Sequence, residues 1–154
     1  MTAFLDTSVL LAGLIHFGPQ STPANLILND VALGKLAAST AWHCCLEWYS
    51  VATRLPPEFR VPPDDAARLL REEILARLTV HDLPAADRDS WIDSLIADAV
   101  IGGRTYDAHI AAIARAAGAT VIVTDNRHFL AALRHGIRVE TPQEFLAGRR
   151  AARP

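Results

Sequence analysis

The chain has 154 residues and a mass of 16.7 kDa, a length that suits one compact domain and argues against a two-domain enzyme. Hydrophobic residues make up 51% of it and the mean hydropathy is +0.17, which excludes an intrinsically disordered chain. Fifteen basic residues stand against 17 acidic ones, and the resulting formal net charge of -2 argues, taken alone, against a nucleic-acid partner.

The first half of the chain alternates predicted strands with predicted helices. In chain order these are a strand at 2–6, helices at 9–15 and about 21–31, a strand at 35–39, and helices at 41–55 and 64–78. Thr40 is the predicted cap of the 41–55 helix, whose apolar positions repeat at the 4-3-4 spacing of one helical face. Those positions are Cys44, Trp48, Val51 and Leu55.

The second half continues the alternation. It comprises a strand at 79–83, a helix from Pro84 to the Gly102-Gly103 pair, a helix capped by Thr105, strands at 119–124 and 137–140, and a last helix. Thr141 and Glu144 have the spacing of a capping box at the start of that helix. The continuous apolar run at 119–124 is typical of a strand buried on both faces, which indicates a parallel sheet inside an α/β sandwich.

One domain is expected to cover residues 1–148, followed by a frayed basic tail at 149–154. Residues 7–29 carry no formal charge, but glycine, proline and polar residues interrupt them, so no membrane span is predicted. No basic segment precedes this stretch, and Cys44 and Cys45 are adjacent, unlike the spaced cysteines of disulfide or zinc sites. A cytoplasmic protein is therefore expected.

Four acidic residues lie at positions where a functional site could form. Three lie at the ends of predicted strands or at the start of a predicted helix, and one lies within a predicted amphipathic helix. Asp6 closes the first strand and Asp125 follows the strand at 119–124, and the carboxyl ends of parallel strands share one edge of a sheet. Asp107 lies in the first turn of the helix capped by Thr105, and Glu47 lies within the 41–55 helix. Each aspartate also has a purely structural interpretation, as a cap, a turn former or a partner of the helix dipole.

Together these acids would form an oxygen-rich cluster that stays ionised only if cations neutralise it. Mg²⁺ and Mn²⁺ are the hard divalent ions that such ligands favour. A bound ion of this kind activates water and stabilises the oxygens of a phosphoester under attack. The residues therefore indicate metal-dependent phosphoester hydrolysis.

The segments around the four acids resemble the PIN-domain ribonucleases in order and spacing, and most closely the VapC toxins of type II toxin–antitoxin pairs. They are Phe4-Leu-Asp6-Thr-Ser-Val-Leu, Leu46-Glu47-Trp-Tyr-Ser-Val, Thr105-Tyr-Asp107-Ala-His-Ile-Ala-Ala-Ile-Ala and Val123-Thr-Asp125-Asn-Arg-His-Phe129. The resemblance spans about residues 2–146. It implies a three-layer α/β/α sandwich with a central parallel sheet.

By the same resemblance, Asp6 and Asp107 are the principal Mg²⁺ ligands, and Glu47 and Asp125 complete the metal site directly or through water. Mn²⁺ is expected to substitute for Mg²⁺. Thr7 and Thr124 match small hydroxyl positions beside the acids and are expected to orient them. Many relatives carry a further acid three residues after the last one, where this chain has His128, and this departure leaves a second metal open.

The implied activity is Mg²⁺-dependent endoribonucleolytic hydrolysis of RNA, with 5′-phosphate and 3′-hydroxyl ends. The implied partners are a VapB-like antitoxin and a second copy of the chain in a homodimer. A stand-alone PIN nuclease in RNA processing remains the alternative within this chemistry. A haloacid-dehalogenase-like phosphatase would need an acid where Ser8 stands, and a receiver-like phosphoacceptor domain would need a late lysine, whereas the one lysine is Lys35.

The resemblance also changes what the net charge means. Removing the four proposed ligands from the 17 acidic residues leaves 13, against 15 basic residues. If the four carboxylates hold divalent cations, the edge that repels phosphate becomes the place where phosphate binds. RNA binding is therefore expected to require metal.

Overall fold

The computed structural model describes residues 2–126, 129, 132–133 and 136–152, and in these residues one parallel sheet forms the centre of the fold. Its strands are β1 (Ala3–Leu5), β2 (Ala38–Ala41), β3 (Thr79–His81), β4 (Val121–Val123) and β5 (Arg138–Glu140). The spatial order is β3-β2-β1-β4-β5, and every neighbouring pair is parallel. The predicted α/β class with a central parallel sheet is confirmed.

Helices cover both faces of this sheet. They are α1 (Thr7–Leu14), α2 (Thr22–Ala32), α3 (Trp42–Ala52), α4 (Pro63–Leu69), α5 (Arg88–Ala97), α6 (Arg104–Ala116) and α7 (Pro142–Ala151). Short 3₁₀ turns precede α2 and α5 at Pro19–Ser21 and Ala85–Asp87, and α4 continues into a π-helical segment at Leu70–Leu75.

The chain crosses the sheet in one direction from β1 to β3 and then returns to β4 on the other side of β1. Because such crossovers are right-handed, α1 to α4 lie on one face, and α5 and α6 lie on the opposite face. Contacts agree with this division, since α1 packs against α2 and α3, α2 packs against α7, and α5 packs against α6. The three-layer α/β/α sandwich is the observed architecture.

The central strands are the most deeply buried part of the fold. Every residue of β1 and β4 has 0% exposure, as a strand covered on both faces requires. Trp48 of α3 is also fully buried, in agreement with its predicted place on the apolar face of that helix. Asp6 and Asp125 follow the ends of these two buried strands, so both lie at the carboxyl edge of the sheet.

Threonines predicted to cap two helices do not occupy the cap positions. Thr40 belongs to β2, which lies later than the predicted 35–39, and its buried Oγ1 donates a hydrogen bond to the Leu5 carbonyl at 2.7 Å. Ala41 precedes α3 instead. Thr105 lies inside α6, and Gly103 holds the cap position there. The Thr40 hydroxyl bonds to the neighbouring strand β1 rather than to the start of α3, and the local spacing of residues does not reveal this partner.

The predicted helix from Pro84 to Gly102 is shorter than expected. After the 3₁₀ turn, α5 ends at Ala97, and Ala99 adopts a left-handed conformation with a φ of 51°. None of the α5 residues is fully buried, and Ile96 is 78% exposed. A helix with so little buried apolar surface gains little from packing, which agrees with its early end.

The capping box at the start of α7 is confirmed. Thr141 Oγ1 accepts from the Glu144 N–H at 3.2 Å, and Glu144 Oε2 accepts from the Thr141 N–H at 2.8 Å. The helix runs on to Ala151, so the predicted boundary at residue 148 falls inside it. Arg149, predicted to lie in a frayed tail, instead pairs with Asp30 of α2 at 3.3 Å.

Replacing Thr40 with valine is expected to lower the free energy of unfolding by about 1 kcal/mol, because the buried Leu5 carbonyl loses a hydrogen-bond donor while the side-chain shape is kept. Urea denaturation measures this change. Thr79→Val, at an exposed position of β3, is the matched control and is expected to stay within about 0.5 kcal/mol of wild type. Equal stabilities for the two variants would contradict the importance of the Thr40 bond.

In the part of the chain that the structure describes, no helix is both long enough and apolar enough to cross a membrane.

Candidate active site

The carboxyl edge of the sheet gathers the acidic residues predicted from the sequence. Asp6 follows β1 directly, and its N–H donates to the Val123 carbonyl of β4 at 3.1 Å. Asp125 comes just after β4, Asp107 lies in the first turn of α6, and Glu47 lies within α3. Two neighbouring strands and two helices from opposite faces thus bring four separate segments to one region.

Asp6 is the buried centre of this region, with 5% exposure. It holds the cap position of α1, but its side chain makes no capping hydrogen bond, so a cap role does not account for its carboxylate. Asp6 Oδ2 accepts instead from Thr124 Oγ1 at 2.7 Å and from Ser8 Oγ at 3.3 Å. These two hydroxyl donors fix the orientation of the carboxylate.

The other Asp6 oxygen, Oδ1, faces the Cys44 thiol, whose Sγ lies 3.9 Å away. Burial, together with the Asp6 charge, raises the pKa of Cys44 to about 12. The thiol is therefore neutral and acts as a weak donor. Cys44 belongs to the wall of the site.

Glu47 is linked to the Asp6 segment through Thr7, whose Oγ1 donates to Glu47 Oε2 at 2.6 Å. Burial raises the pKa of Asp6 above its ordinary value, and the charge of Glu47 acts in the same direction. Hydrogen bonds from Thr124 and Ser8 and from the Thr7 backbone oppose this rise without cancelling it. A cation beside the two carboxylates would relieve both the burial cost and the repulsion.

Asp125 and Asp107 join the same network through their neighbours. The Asp125 N–H donates to Ser8 Oγ at 3.1 Å, and partial burial raises the pKa of the Asp125 carboxyl. Asn126 Nδ2 donates to Asp107 Oδ1 at 3.4 Å, and the Asn126 N–H donates to Thr124 Oγ1 at 2.9 Å. All four acids are thus tied together by small hydroxyl and amide groups.

Sequence reasoning did not identify Ser8 and Asn126 as members of this network. Both lie inside segments that were singled out for their acids, Ser8 two residues after Asp6 and Asn126 directly after Asp125. The signal that could have found them is a hydrogen-bonding side chain within two residues of a candidate ligand, just after the end of a predicted strand. His128, which replaces a further acid of many relatives, lies outside the described residues.

The donors fit Mg²⁺ or Mn²⁺ in type, because the four proposed ligands are all carboxylates, which supply the oxygen atoms that these ions prefer. Among the residues that the structure describes, no three acidic, histidine or cysteine side chains are arranged to hold one ion jointly. The metal site stays a prediction.

Two other features border the acids. A cavity of about 690 Å³ opens beside Asp125, between residues 19–23 and the start of α7, with Gln20 and Gln143 in its lining. On another side stands a row of aromatic rings that includes His43 and His109. Burial and the charge of His43 lower the pKa of His109, which is half-buried among these rings.

Comparison with known proteins places these features in context. Residues 2–128 match the family described as PIN domain. Ribonuclease VapC40 of Mycobacterium tuberculosis is 35% identical over 125 residues, which cover 79% of this chain and 85% of that protein.

Solved structures share the fold at lower identity. VapBC2 from Rickettsia felis, bound to a DNA fragment from its promoter, aligns with a TM-score of 0.62 at 17% identity and covers 92% of this chain and 98% of that one. VapC20 of Mycobacterium tuberculosis, described as a sarcin-ricin loop cleaving toxin, aligns with a TM-score of 0.63 at 17% identity, covering 84% and 94%.

Proposed function

The chain belongs to the PIN-domain family, and on that premise we propose that it is a metal-dependent endoribonuclease acting as the toxin of a type II toxin–antitoxin pair. The observation that carries the proposal is the buried Asp6 carboxylate, held by Thr124 and Ser8 and electrostatically coupled to Glu47. The name of the relative VapC40, a ribonuclease, supports the choice of RNA as substrate.

In this proposal Asp6, Glu47, Asp107 and Asp125 hold Mg²⁺, or Mn²⁺ in its place. When bound, the ion supplies activation of a water molecule and stabilisation of charge on the phosphate under attack. The chain's own contribution is to keep its carboxylates ionised and oriented. Thr124 and Ser8 donate to Asp6 Oδ2, and Thr7 donates to Glu47 Oε2, because hydrogen bonds to an ionised carboxylate favour that form.

An antitoxin partner, VapB-like in kind, follows from the same proposal. The similar Rickettsia felis structure is a VapBC complex, which supports a partner of this class. A basic side chain of such a partner would pair with the acidic cluster by charge-assisted hydrogen bonds and so exclude RNA from it.

A homodimer is proposed as well. Exposed apolar residues follow one another along α3 at spacings of four and three, which places Trp42, Leu46 and Tyr49 on one outward stripe of the helix. Leu46 is 54% exposed. Burial of this stripe against a second copy would remove apolar surface from water.

Cleavage of total cellular RNA by the purified protein, with Mg²⁺ or Mn²⁺, tests the activity. Products with 5′-phosphate and 3′-hydroxyl ends are expected, and no cleavage with either ion would contradict it. The gene neighbourhood separates the toxin from the stand-alone nuclease. A small upstream reading frame with a DNA-binding pattern supports the toxin, and its absence supports a nuclease in RNA processing.

Replacing Thr124 with valine is expected to lower the rate of RNA cleavage by about 10- to 100-fold, the usual effect of losing a group that orients a metal ligand. The change removes the donor to Asp6 Oδ2 but keeps the shape of a side chain that is 1% exposed. Initial rates on one RNA measure it. Thr124→Ser keeps the hydroxyl and serves as the control, and if both variants lose activity equally, the hydroxyl is not the cause.

A further inference from the structure

Four aromatic rings from three helices form a continuous row beside the acidic cluster. Tyr106 of α6 lies against His43 of α3 with ring centroids 5.6 Å apart and planes 38° apart. His43 meets His109 of α6 edge-on at 5.6 Å, and His109 meets Trp91 of α5 at 5.0 Å. Tyr106, the outermost ring, is 60% exposed, whereas the three rings behind it are half-buried.

Two residues of the row are near neighbours, along their helices, of two proposed metal ligands. Tyr106 directly precedes Asp107 in the first turn of α6. His43 lies one helical turn before Glu47 on α3, so the two side chains share a helix face. Thr7 ties Glu47 to the Asp6 segment at 2.6 Å, and three rings of the row lie on the same two helices, α3 and α6, that carry Glu47 and Asp107.

An exposed ring supported from behind offers a flat apolar surface of about the size of one nucleobase. Bases stack on such rings without strict sequence preference, since every base has a π-face. In a duplex both faces of a base are covered by its neighbours, whereas in loops and single strands a base can be splayed out onto a protein side chain. The row therefore suits a base from an unpaired region of RNA.

We propose that the Tyr106 ring, backed by His43, binds one nucleobase that flanks the scissile phosphate. This inference rests on the ribonuclease function proposed above. Tyr106 is a substrate-contacting residue in it, and His43, His109 and Trp91 hold the ring in place. Trp42 and Tyr49, which also lie on α3, are not members of the row.

The test combines variants of Tyr106 with altered substrates. A short single-stranded RNA, centred on a cleavage site mapped for the wild type, is prepared intact and with an abasic nucleotide at each position in turn. Tyr106→Leu is expected to lower kcat/KM on the intact RNA by about tenfold, while Tyr106→Phe, which keeps the ring, stays within about threefold of wild type. At one position next to the cut, combining the abasic nucleotide with Tyr106→Leu should lower kcat/KM no further than either change does alone, because both remove the same base–ring contact.

Leu33→Ala is the control, because it removes an apolar side chain that is 66% exposed and lies outside both the row and the α3 stripe. It is expected to cleave the intact RNA as the wild type does. Circular dichroism checks that each variant is folded. The inference is overturned if Tyr106→Leu cleaves like wild type, or if its loss is independent of the abasic change at every position.

A binding measurement keeps this inference separate from the proposed function. Oligouridine carrying one central 2-aminopurine is mixed with the wild-type protein in the presence of Mg²⁺, and stacking is detected as loss of fluorescence, while gels of the same samples confirm that the RNA is intact. Quenching that Tyr106→Leu abolishes and Tyr106→Phe retains supports the platform even if no RNA is cut. Absence of quenching, or quenching unaffected by Tyr106→Leu, overturns the platform whether or not the wild type is a ribonuclease.

Discussion

Replacing Asp6 with asparagine is expected to lower RNA cleavage by about a thousandfold or more, because a metal that stabilises the transition state contributes several kcal/mol and each 1.36 kcal/mol is about tenfold in rate. Asparagine has nearly the same shape and still accepts a hydrogen bond from Thr124, so the buried contact at 2.7 Å can persist. The variant loses the negative charge that would hold the ion. Initial rates on total RNA and on one defined RNA measure the change.

The control for this experiment is Asp64→Asn, which removes an exposed carboxylate in the first turn of α4. Its cleavage rate is expected to equal that of wild type. Equal cleavage rates for wild type and Asp6→Asn would contradict the assignment of the site. A loss shared by both aspartate variants would trace the effect to overall charge rather than to the site.

The same substitution is expected to stabilise the metal-free protein at neutral pH. Burial raises the pKa of Asp6 above its value of 3.8 in the unfolded chain, so the folded state disfavours the ionised form. The stability associated with such a group is fully present below the unfolded pKa and is lost as the pH rises through the folded pKa. Asparagine does not ionise, so the Asp6→Asn variant does not lose this stability as the pH rises.

Thermal unfolding in EDTA at a series of pH values measures the effect. The melting temperature of Asp6→Asn should exceed that of wild type at neutral pH, and the difference should shrink as the pH falls towards the ordinary range of a carboxyl group. A difference that is constant with pH would show that the ionisation of Asp6 is not responsible.

Removal of divalent ions is expected to weaken RNA binding by about tenfold or more, because the site carboxylates would then repel the RNA phosphates. Two like charges a few ångströms apart repel by about 1 kcal/mol in water and by several times more near a protein surface. Four carboxylates at one edge of the sheet repel phosphate, whereas the rest of the chain has 15 basic against 13 acidic residues. Fluorescence anisotropy of a labelled single-stranded RNA, with Mg²⁺ or EDTA at matched ionic strength, measures this. Gels taken from the same samples check for cleavage during the titration.

A pair of double variants localises the repulsion. Asp107→Asn with Asp125→Asn removes two charges from the site, and Asp64→Asn with Asp65→Asn removes two from the exposed start of α4. In EDTA the first pair should bind RNA more tightly than wild type does, and the second pair should change binding far less. RNA binding that is the same with and without divalent ions would contradict the proposed role of the metal.

Local sequence patterns predicted those parts of the fold that depend on neighbours in the chain. The capping box of Thr141 and Glu144 was predictable because its two residues are three positions apart and bond to each other. The apolar run ending at Val123 was predictable as a buried strand because a strand covered on both faces needs no polar residue. The alternation of such elements was enough for the parallel α/β class.

Predictions that depended on one side chain's choice of partner were less successful. Thr40 was predicted to cap a helix, but its hydroxyl bonds to Leu5, 35 residues away, across the sheet. Arg149 was predicted to lie in a frayed tail, but it pairs with Asp30, 119 residues away. In both cases the side chain bonds to a residue that is distant in the sequence, and spacing along the chain carries no information about such a partner.

The sequence by itself determined the α/β class and the four acids around which a site could form, because strand and helix patterns are local and the acidic segments resemble one family in order and spacing. Only the tertiary structure decided how those acids are connected. Ser8, in the first turn of α1, bonds to the segment that follows β4, more than a hundred residues away, and Tyr106 meets His43 only because α3 and α6 converge at the same edge of the sheet. Hydrogen bonds and ring contacts of this kind depend on where packed elements place their side chains, which no periodicity along one chain encodes.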